Sequence, residues 1–242
     1  MGDTHEPAGC PVDALSAWAD ELLRPAEQVA RLELERVAEA GRAIAARLEG
    51  GGRWLTFGAG HSWSIASEVC SRAGGLPGVI AMHLGDVIEP KSEQWEYLAD
   101  SLPEREVANG RLLAEHYAVS GQDALLIVTN SARNGACVEL AHLAHTAGCF
   151  VVVITSKLHS DAVASRHPDG TKATDWADVV LDNHGCVGDA AIELEDGLVV
   201  GATSTVAGAL LAQLLSTVVC QSLAGSGLAV LRSANVDPAG QA

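Results

Sequence analysis

The stretch Leu55-Thr56-Phe57-Gly58-Ala59-Gly60-His61-Ser62 decides the fold. The apolar run Trp54 to Phe57 is typical of a buried strand. Glycines then break this strand, and Ser62 is a good N-cap for a helix that we predict over Trp63 to Arg72. A strand, a glycine turn and a helix start can together hold an anion, because glycines permit close approach and free N–H groups point at the ligand. The same pattern also fits a tight turn without a ligand, and the residues alone leave both interpretations open.

A dinucleotide site is a weaker interpretation of this turn. The glycine fingerprint of such sites requires a further glycine where this chain has Trp63. We therefore expect no cofactor here.

The composition favours one α/β domain and excludes nucleic acid as a partner. The chain has 242 residues, of which 48% are hydrophobic, and its formal net charge is −16. Such a charge leaves no basic stripe to neutralise a phosphate backbone. A single phosphate on a small molecule can still be held by backbone N–H groups, hydroxyls and one arginine.

Cysteine usage and the apolar segments indicate a cytoplasmic protein. None of the six cysteines forms a C-x-x-C pair, so we interpret them as reduced thiols. Met1 to Pro11 lacks the apolar core of a signal peptide. Leu198 to Leu231 has no charged residue, but frequent hydroxyl and amide side chains argue against a membrane span. We predict a helix buried between layers or subunits, and hence a homodimer.

Strands and helices alternate along the chain. Strands are predicted at 54–57, 79–84, 124–129, 149–155 and 177–181, with a hairpin at 190–194 and 198–200. Helices are predicted at 14–48 with a kink or break at Pro25, then at 63–72, 104–119, 135–148 and 203–223, while 157–174 is predicted as a polar loop. This order predicts an α/β three-layer sandwich with a five-stranded, mostly parallel sheet and an extra N-terminal helix. We expect residues 1–12 to be disordered, 13–232 to form one domain and 233–242 to form a tail.

A second turn follows the third predicted strand and is richer in polar side chains than the first. Thr129-Asn130-Ser131-Ala132-Arg133-Asn134 places two hydroxyls, two amides and an arginine within six residues. Ligands of open parallel sheets bind at the carboxyl ends of the strands. The two turns should converge there.

Several motifs resemble the sugar isomerase (SIS) domain family over roughly residues 15 to 230. The first half is similar at Gly58-x-Gly60-x-Ser62, Ser67-Glu68 and Arg72-Ala73-Gly74-Gly75; the second at Asp123 to Asn134 and at Glu139. Asn130 and Ala132 stand where the family often has Ser and Gly. Asp182-Asn183-His184-Gly185, Gly188-Asp189-Ala190 and Thr203-Ser204-Thr205 resemble a single-domain bacterial branch whose relatives resemble N-acetylglucosamine-6-phosphate dehydratases. The resemblance implies a flavodoxin-like fold and a phosphorylated amino sugar as ligand.

The resemblance also assigns roles to residues. Binding of phosphate and nearby hydroxyls is expected from Gly60, Ser62, Asn130, Ser131, Arg133, Asn134, Thr203 and Ser204. Glu68 matches the position of a proton-abstracting carboxylate, and His83 or His61 is the expected acid. The alternative for Glu68 is a surface ion pair with Arg72 four residues on.

Other polar residues are secondary candidates. Asp86 and Glu89 follow the second strand, where another branch of the family carries a catalytic glutamate. His184 lies after the fifth strand, and Asp189 either binds sugar hydroxyls or caps a turn. His142 and His145 are interpreted as surface histidines, so no metal is expected.

The expected reaction is a lyase reaction without a metal. Glu68 takes the C2 proton of ring-opened N-acetylglucosamine 6-phosphate, and loss of the C3 hydroxyl gives an unsaturated sugar. An aldose–ketose isomerase, a C3-ether lyase and a phosphosugar sensor without catalysis remain alternatives.

Overall fold

The computed structural model describes residues 12–88, 102–227 and 230–233. The predictions for residues 1–12 and 233–242 fall outside this description except at Val12 and Ser233.

Five parallel strands form one sheet. They are β1 (Trp54–Gly58), β2 (Ile80–Met82), β3 (Ala124–Val128), β4 (Phe150–Thr155) and β5 (Val179–Asp182). Their order in the sheet is β2-β1-β3-β4-β5, and all neighbouring pairs are parallel. The predicted α/β fold with a five-stranded parallel sheet is confirmed. The chain reverses its direction of travel across the sheet between β1 and β3, which makes the carboxyl ends of these two strands the place for a ligand.

Seven α-helices are found within the described ranges. They are α1 (Val12–Leu32), α2 (Leu34–Glu49), α3 (Ser62–Ser67), α4 (Val107–His116), α5 (Gly135–Thr146), α6 (Lys157–Ala162) and α7 (Ser204–Ser222). Short 3-10 turns lie at Leu84–Asp86, Pro103–Arg105 and Ala173–Trp176. The predicted hairpin is also present, as β6 (Ala190–Glu193) paired antiparallel with β7 (Val199–Ala202).

The helices form two layers, one on each face of the sheet. Successive residues of a strand point to opposite faces, so each strand contributes apolar side chains to both layers. Leu126 and Val128 of β3 belong to the core beneath α2, α3 and α7. Leu125 and Ile127 of the same strand belong to the core beneath α4 and α5. β1 and β3 are buried along their whole length, as expected of parallel strands covered on both faces.

Three local predictions were wrong. The N-terminal helix breaks at Glu33 and not at Pro25, which lies inside α1. The buried Glu33 carboxylate accepts from the Asp182 amide at the end of β5 and contacts His184 Nε2 in the loop that follows. α3 ends at Ser67, five residues earlier than predicted, and its N-cap is His61 rather than Ser62. The segment 157–174 contains α6, which begins because Ser156 accepts a hydrogen bond from the His159 amide.

The uncharged C-terminal segment forms a helix against the sheet. Among the described residues, α7 alone is long and apolar enough to cross a membrane by length and composition. Leu211, Leu215 and Val219 are fully buried, and α7 packs against α1, α2 and α3. One face of α7 thus packs within the domain, while residues such as Val206 on the other side of the helix are exposed. The prediction of a helix buried between layers or subunits is met for the inner face alone. The homodimer stays a prediction.

Candidate functional site

A pocket opens at the carboxyl ends of β1 and β3. Its volume is about 180 Å³. The lining residues are Ala59, Ser62, Val128, Thr129, Asn130, Ser131, Asn134, Cys137 and His159. Because Gly58 pairs with Val128, the two strands end side by side and the two turns that follow them share one space. The predicted convergence of the turns is what the structure shows.

The first turn is shaped by its glycines. A Cβ on Gly58 would lie 2.4 Å from the carbonyl oxygen of Ser62, so only glycine fits there. Gly60 has a φ of +58°, a left-handed conformation that glycine adopts without strain. Ser62 therefore faces the pocket as the first residue of α3, while the side chain of His61 is exposed.

The second turn is held by hydrogen bonds from its surroundings. The Asn130 carbonyl accepts from the Thr155 hydroxyl at 3.1 Å and from the Ser156 amide at 3.2 Å. The Asn130 side chain accepts from Asn183, a buried residue, at 3.0 Å. Ala132 is fully buried and has a φ of +53°, a conformation that costs an L-residue energy. This framework fixes Ser131 and Asn134 at the pocket wall.

Three arginines converge beside this turn, although the chain as a whole is acidic. The Arg166 amide donates to the Arg133 carbonyl at 2.9 Å, and its guanidinium donates to Asn134 Oδ1 at 2.6 Å. Burial lowers the pKa of Arg166, and the charges of Arg133 and Arg105 lower it further. Nε of Arg133 is buried and has no hydrogen-bond partner within the described part of the chain. A local excess of positive charge with a donor to spare favours an anion.

His167, the residue after Arg166, connects the loop that carries both residues to α5. His167 Nε2 lies 3.0 Å from Glu139 Oε2, and Arg111 Nε lies 2.5 Å from Glu139 Oε1. Burial raises the pKa of Glu139, but the hydrogen bonds from Arg111 and His167 outweigh it and the net shift is downward. Glu139, part of the family resemblance, thus positions the loop and does not line the pocket.

Glu68 lies beyond the pocket wall, at the end of α3. Its carboxylate is paired with Arg72 at 2.5 Å and accepts from Gln213 Nε2 of α7 at 3.1 Å. The ion pair with Arg72 that sequence reasoning gave as the alternative is therefore present. Its role as a base stays a prediction. Six residues of helix rise about 9 Å, so the backbone of Glu68 lies about that far along α3 from Ser62, which lines the pocket.

His83 and Asp86 lie at the same edge of the sheet but outside the pocket lining. His83 is exposed, its Nδ1 accepts from the Gly85 amide at 2.9 Å, and its ring packs edge-on against Trp63 with 4.7 Å between centroids. The Tyr117 hydroxyl donates to Asp86 and lowers the pKa of that carboxyl. Glu89 lies outside the described residues.

Asp189 caps the start of α7. Its Oδ1 accepts from the amides of Thr203 at 3.1 Å and Ser204 at 2.8 Å, and both hydroxyls also donate to its carboxylate. Thr203 is 1% exposed. The donors of Thr203 and Ser204 that were predicted to bind substrate are thus engaged by a carboxylate of the chain itself, and of the two roles considered for Asp189 the structure contains the cap.

His184 does not line the pocket. Its Nε2 lies 3.1 Å from the buried Glu33 carboxylate, and its Nδ1 lies 3.6 Å from Asp182. His184 thereby ties the loop after β5 to the break between α1 and α2.

Sequence reasoning missed two pocket residues, Cys137 and His159. Burial raises the pKa of the Cys137 thiol to about 12, so it is no nucleophile at neutral pH. His159 was hidden in the segment predicted as a polar loop; the available signal was Ser156, a good helix cap three residues earlier. No group of three or more potential metal ligands occurs in the described part of the chain.

The chain is similar in sequence to a protein family and to individual bacterial proteins. Residues 17–156 match a family described as SIS domain. The chain is 34% identical over 216 residues to a UPF0309 protein of Halalkalibacterium halodurans, and the match spans 88% of this chain and 87% of that protein. It is 35% identical over 249 residues to a UPF0309 protein of Streptomyces coelicolor, and the match spans 96% of this chain and 90% of that protein.

Two solved structures show the same fold. A phosphoheptose isomerase from Francisella tularensis superimposes with a TM-score of 0.57 at 16% identity, over 87% of this chain and 98% of that chain. A phosphoheptose isomerase from Neisseria gonorrhoeae gives a TM-score of 0.55 at 15% identity, over 87% of this chain and 98% of that chain.

Proposed function

Since the chain belongs to the SIS domain family, we propose that it is an enzyme acting on a phosphorylated amino sugar. The observation that carries this proposal is the pocket between β1 and β3, which is lined by hydroxyls and amides and lies beside a cluster of arginines on an otherwise acidic protein. Neutral donors and a local cluster of guanidinium groups suit a monoanionic or dianionic group on a small ligand.

The phosphate binds at the second turn in this proposal. Ser62, Ser131 and Asn134 line the wall. Arg133 belongs to the same turn but is not one of the lining residues, and its buried Nε lacks a partner among the described residues. Arg166 keeps the Asn134 amide oriented, which leaves the amide nitrogen free to face the ligand. Asn130 is oriented in the same way by Asn183.

The reaction that we propose is dehydration of N-acetylglucosamine 6-phosphate. Glu68 takes the C2 proton, the electron pair of that bond enters a C1–C2 double bond, and C1–O1 becomes an enolate. The enolate then expels the C3 hydroxyl, which His83 or His61 protonates, and a 2,3-unsaturated aldehyde and water remain. Glu68 suits the role because Arg72 and Gln213 hold its carboxylate in place at the end of α3.

An aldose–ketose isomerase is the second candidate. On a sugar phosphate with a hydroxyl at C2, the same proton abstraction gives an enediolate. The proton then returns to C1 and the C2 hydroxyl becomes the ketone. The name of the Francisella tularensis neighbour, a phosphoheptose isomerase with the same fold, favours this alternative.

One experiment separates the candidates. The protein is incubated with N-acetylglucosamine 6-phosphate in deuterated water, and the sugar is recovered and examined by NMR and by ultraviolet absorbance. A dehydratase yields a conjugated enal, with deuterium at C2 of the substrate that is recovered. An isomerase needs a hydroxyl at C2, so a parallel incubation uses glucose 6-phosphate, from which an isomerase yields a ketose with deuterium at C1 and no ultraviolet absorbance. Tight binding of the sugar phosphate without deuterium incorporation or new absorbance identifies a sensor and overturns the enzyme assignment. If the sugar phosphate does not bind, the proposal that the ligand is a phosphorylated amino sugar is wrong.

A further inference from the structure

His159 is the one histidine among the residues that line the pocket. It lies in α6, where its amide donates to Ser156 Oγ at 3.0 Å. Its ring nitrogen Nδ1 accepts from the Gly188 amide at 2.7 Å. Backbone and ring are thus each fixed by a hydrogen bond, and Nε2 is the polar atom that the side chain can offer to a ligand.

The contact with Gly188 determines where the ring proton lies. A backbone N–H can only donate, so Nδ1 must accept and carries no proton. The neutral imidazole then holds its proton on Nε2 and is a hydrogen-bond donor toward the pocket. Protonation of Nδ1 would set two N–H groups against each other, which disfavours the imidazolium form.

The surroundings of His159 contain groups that raise its pKa and groups that lower it. Burial lowers its pKa, the Asp189 carboxylate raises it, and the Arg133 guanidinium lowers it. Asp189 lies in the loop after β5 and its carboxylate is occupied by the hydrogen bonds of Thr203 and Ser204. The net shift of the pKa is downward, which favours the neutral ring.

The loop that supplies the Gly188 amide is itself held rigidly. Gly188 and Asp189 have φ values of +81° and +67°, two successive left-handed residues. Asp189 then anchors this turn to the start of α7 through its carboxylate. A non-glycine residue in this conformation persists only where the surrounding contacts enforce it.

We propose that His159 donates a hydrogen bond from Nε2–H to the carbonyl oxygen of the open-chain sugar and stabilises the enolate that forms there. This inference rests on the proposed function. As the C2–H bond breaks, the proton goes to the carboxylate base and the electron pair forms the C1–C2 double bond. The π pair of the carbonyl moves onto oxygen, where the charge meets the neutral imidazole donor.

Two substitutions distinguish a donor from a proton-transferring acid. Glutamine supplies an N–H₂ group to the pocket and an oxygen that can accept from Gly188, whereas alanine supplies neither. We expect His159→Ala to slow C2 deuterium exchange by about 10²–10³-fold, the usual loss for one oxyanion donor. We expect His159→Gln to stay within about 10-fold of the wild type, with the affinity for the 6-phosphate unchanged in both. His145→Ala, an exposed histidine of α5, is the matched control.

Each outcome supports or overturns the inference. Equal exchange rates in the wild type and His159→Ala overturn it, as does a Gln variant that is as slow as the Ala variant, because that pattern belongs to an acid that must transfer its proton. A loss of phosphosugar affinity without a change in turnover also overturns it and makes His159 a phosphate ligand. Absence of exchange in the wild-type protein overturns the proposed function, and this inference with it.

A measurement on the resting protein tests the tautomer without any substrate. Long-range proton–nitrogen NMR correlations of the histidine rings, assigned with His159→Gln, should show the Nε2–H tautomer of His159 with a pKa below the ordinary histidine value. An Nδ1–H tautomer, or a ring that is charged at neutral pH, contradicts the proposal.

Discussion

The two ends of the sheet differ in how completely their polar groups are satisfied. At the amino end, Asp123 accepts from the amides of Arg53 and Ser120 and from both of their side chains. Nη1 of Arg53 donates to the carbonyl of Tyr117, and Nη2, which also donates to Asp123, donates to the carbonyl of Ala118. Among the described residues, the Asp123 carboxylate and most of the N–H groups of Arg53 are thus satisfied by the chain itself.

At the carboxyl end, the corresponding groups face a pocket or lack a partner. Nε of Arg133 is buried and has no hydrogen-bond partner in the described ranges. His159 lines the pocket with Nδ1 engaged by the Gly188 amide, and its Nε2 is the donor that we propose for a ligand. Strain is concentrated here as well, since Ala132, His184 and Asp189 all have left-handed backbones. Together with the proposed function, the comparison indicates that the same parallel sheet has polar residues that satisfy one another at one end and polar residues that are available to a ligand at the other. Substitutions should therefore affect stability at the amino end and activity at the carboxyl end.

The largest effect is expected for Glu68→Gln. Loss of the base should lower turnover by about 10²–10⁴-fold, because glutamine keeps the shape and the contact with Gln213 but cannot take a proton. Stability should fall by at most about 1 kcal/mol, since the ion pair with Arg72 is partly exposed. Steady-state kinetics and urea unfolding measure the two quantities, with Glu115→Gln on the surface of α4 as the control. Wild-type turnover in Glu68→Gln would remove the catalytic assignment.

At the amino end, Asp123→Ala should destabilise the fold by about 3–5 kcal/mol. The Asp123 side chain is 2% exposed, and its removal leaves the Arg53 guanidinium and the Ser120 amide without their acceptor. Turnover per folded molecule should not change. Urea unfolding followed by circular dichroism gives the free energy. A loss below about 1 kcal/mol would show that this network is weaker than its hydrogen bonds indicate.

At the carboxyl end, Arg133→Ala should weaken ligand binding and leave the stability of the fold nearly unchanged. We expect the affinity for the 6-phosphate to fall by about 5–150-fold, which corresponds to about 1–3 kcal/mol for one charge-assisted hydrogen bond to a buried anion. Thermal stability should stay close to that of the wild type. Isothermal titration calorimetry measures the affinity, and Arg42→Ala, an exposed arginine of α2, controls for the change in net charge. Unchanged affinity would move the phosphate away from the second turn.

Acid should weaken the network at the amino end of the sheet. Burial raises the pKa of Asp123, but the hydrogen bonds from Arg53 and Ser120 prevail and bring it to about 2 from an ordinary value of 3.8. A depressed folded-state pKa contributes stability that is complete above the unfolded value and is lost as the pH falls from about 4 through about 2. The contribution is about 2 kcal/mol. Urea unfolding between pH 2 and 6 should show this slope in the wild type and a smaller slope in Asp123→Asn.

The smallest effect concerns backbone strain in the second turn. Ala132→Gly and Ala136→Gly each remove one fully buried methyl group and add the same freedom to the unfolded chain. Only Ala132 has a left-handed backbone, so its replacement also releases strain. We expect Ala132→Gly to be about 1–2 kcal/mol less destabilising than Ala136→Gly. Equal losses would mean that the turn is not strained.

Local sequence patterns were sufficient to predict the sheet and some of the residues that line the pocket. The apolar run before Gly58 and the β-branched run before Thr155 determine two strands by themselves, because their length and composition suit burial on both faces of a sheet. The glycine turn follows the first of these strands and the polar turn follows the third strand. Because parallel strands end at the same edge of a sheet, the two turns were expected to lie close together. Ser62, Asn130, Ser131 and Asn134 were predicted in this way and do line the pocket.

Only the tertiary structure decided which polar side chains remain available at that edge. Asp189, Thr203 and Ser204 resemble ligand-binding residues in the sequence, yet they satisfy one another across the loop between β5 and α7. His159 was missed because its environment is made by the Gly188 amide, 29 residues further along the chain. Hydrogen bonds between distant segments leave no periodic signal in the sequence, since each partner alone is an ordinary polar residue. The sequence by itself thus determined the layers and the edge at which the pocket lies, and long-range hydrogen bonding determined which groups at that edge are left to bind a ligand.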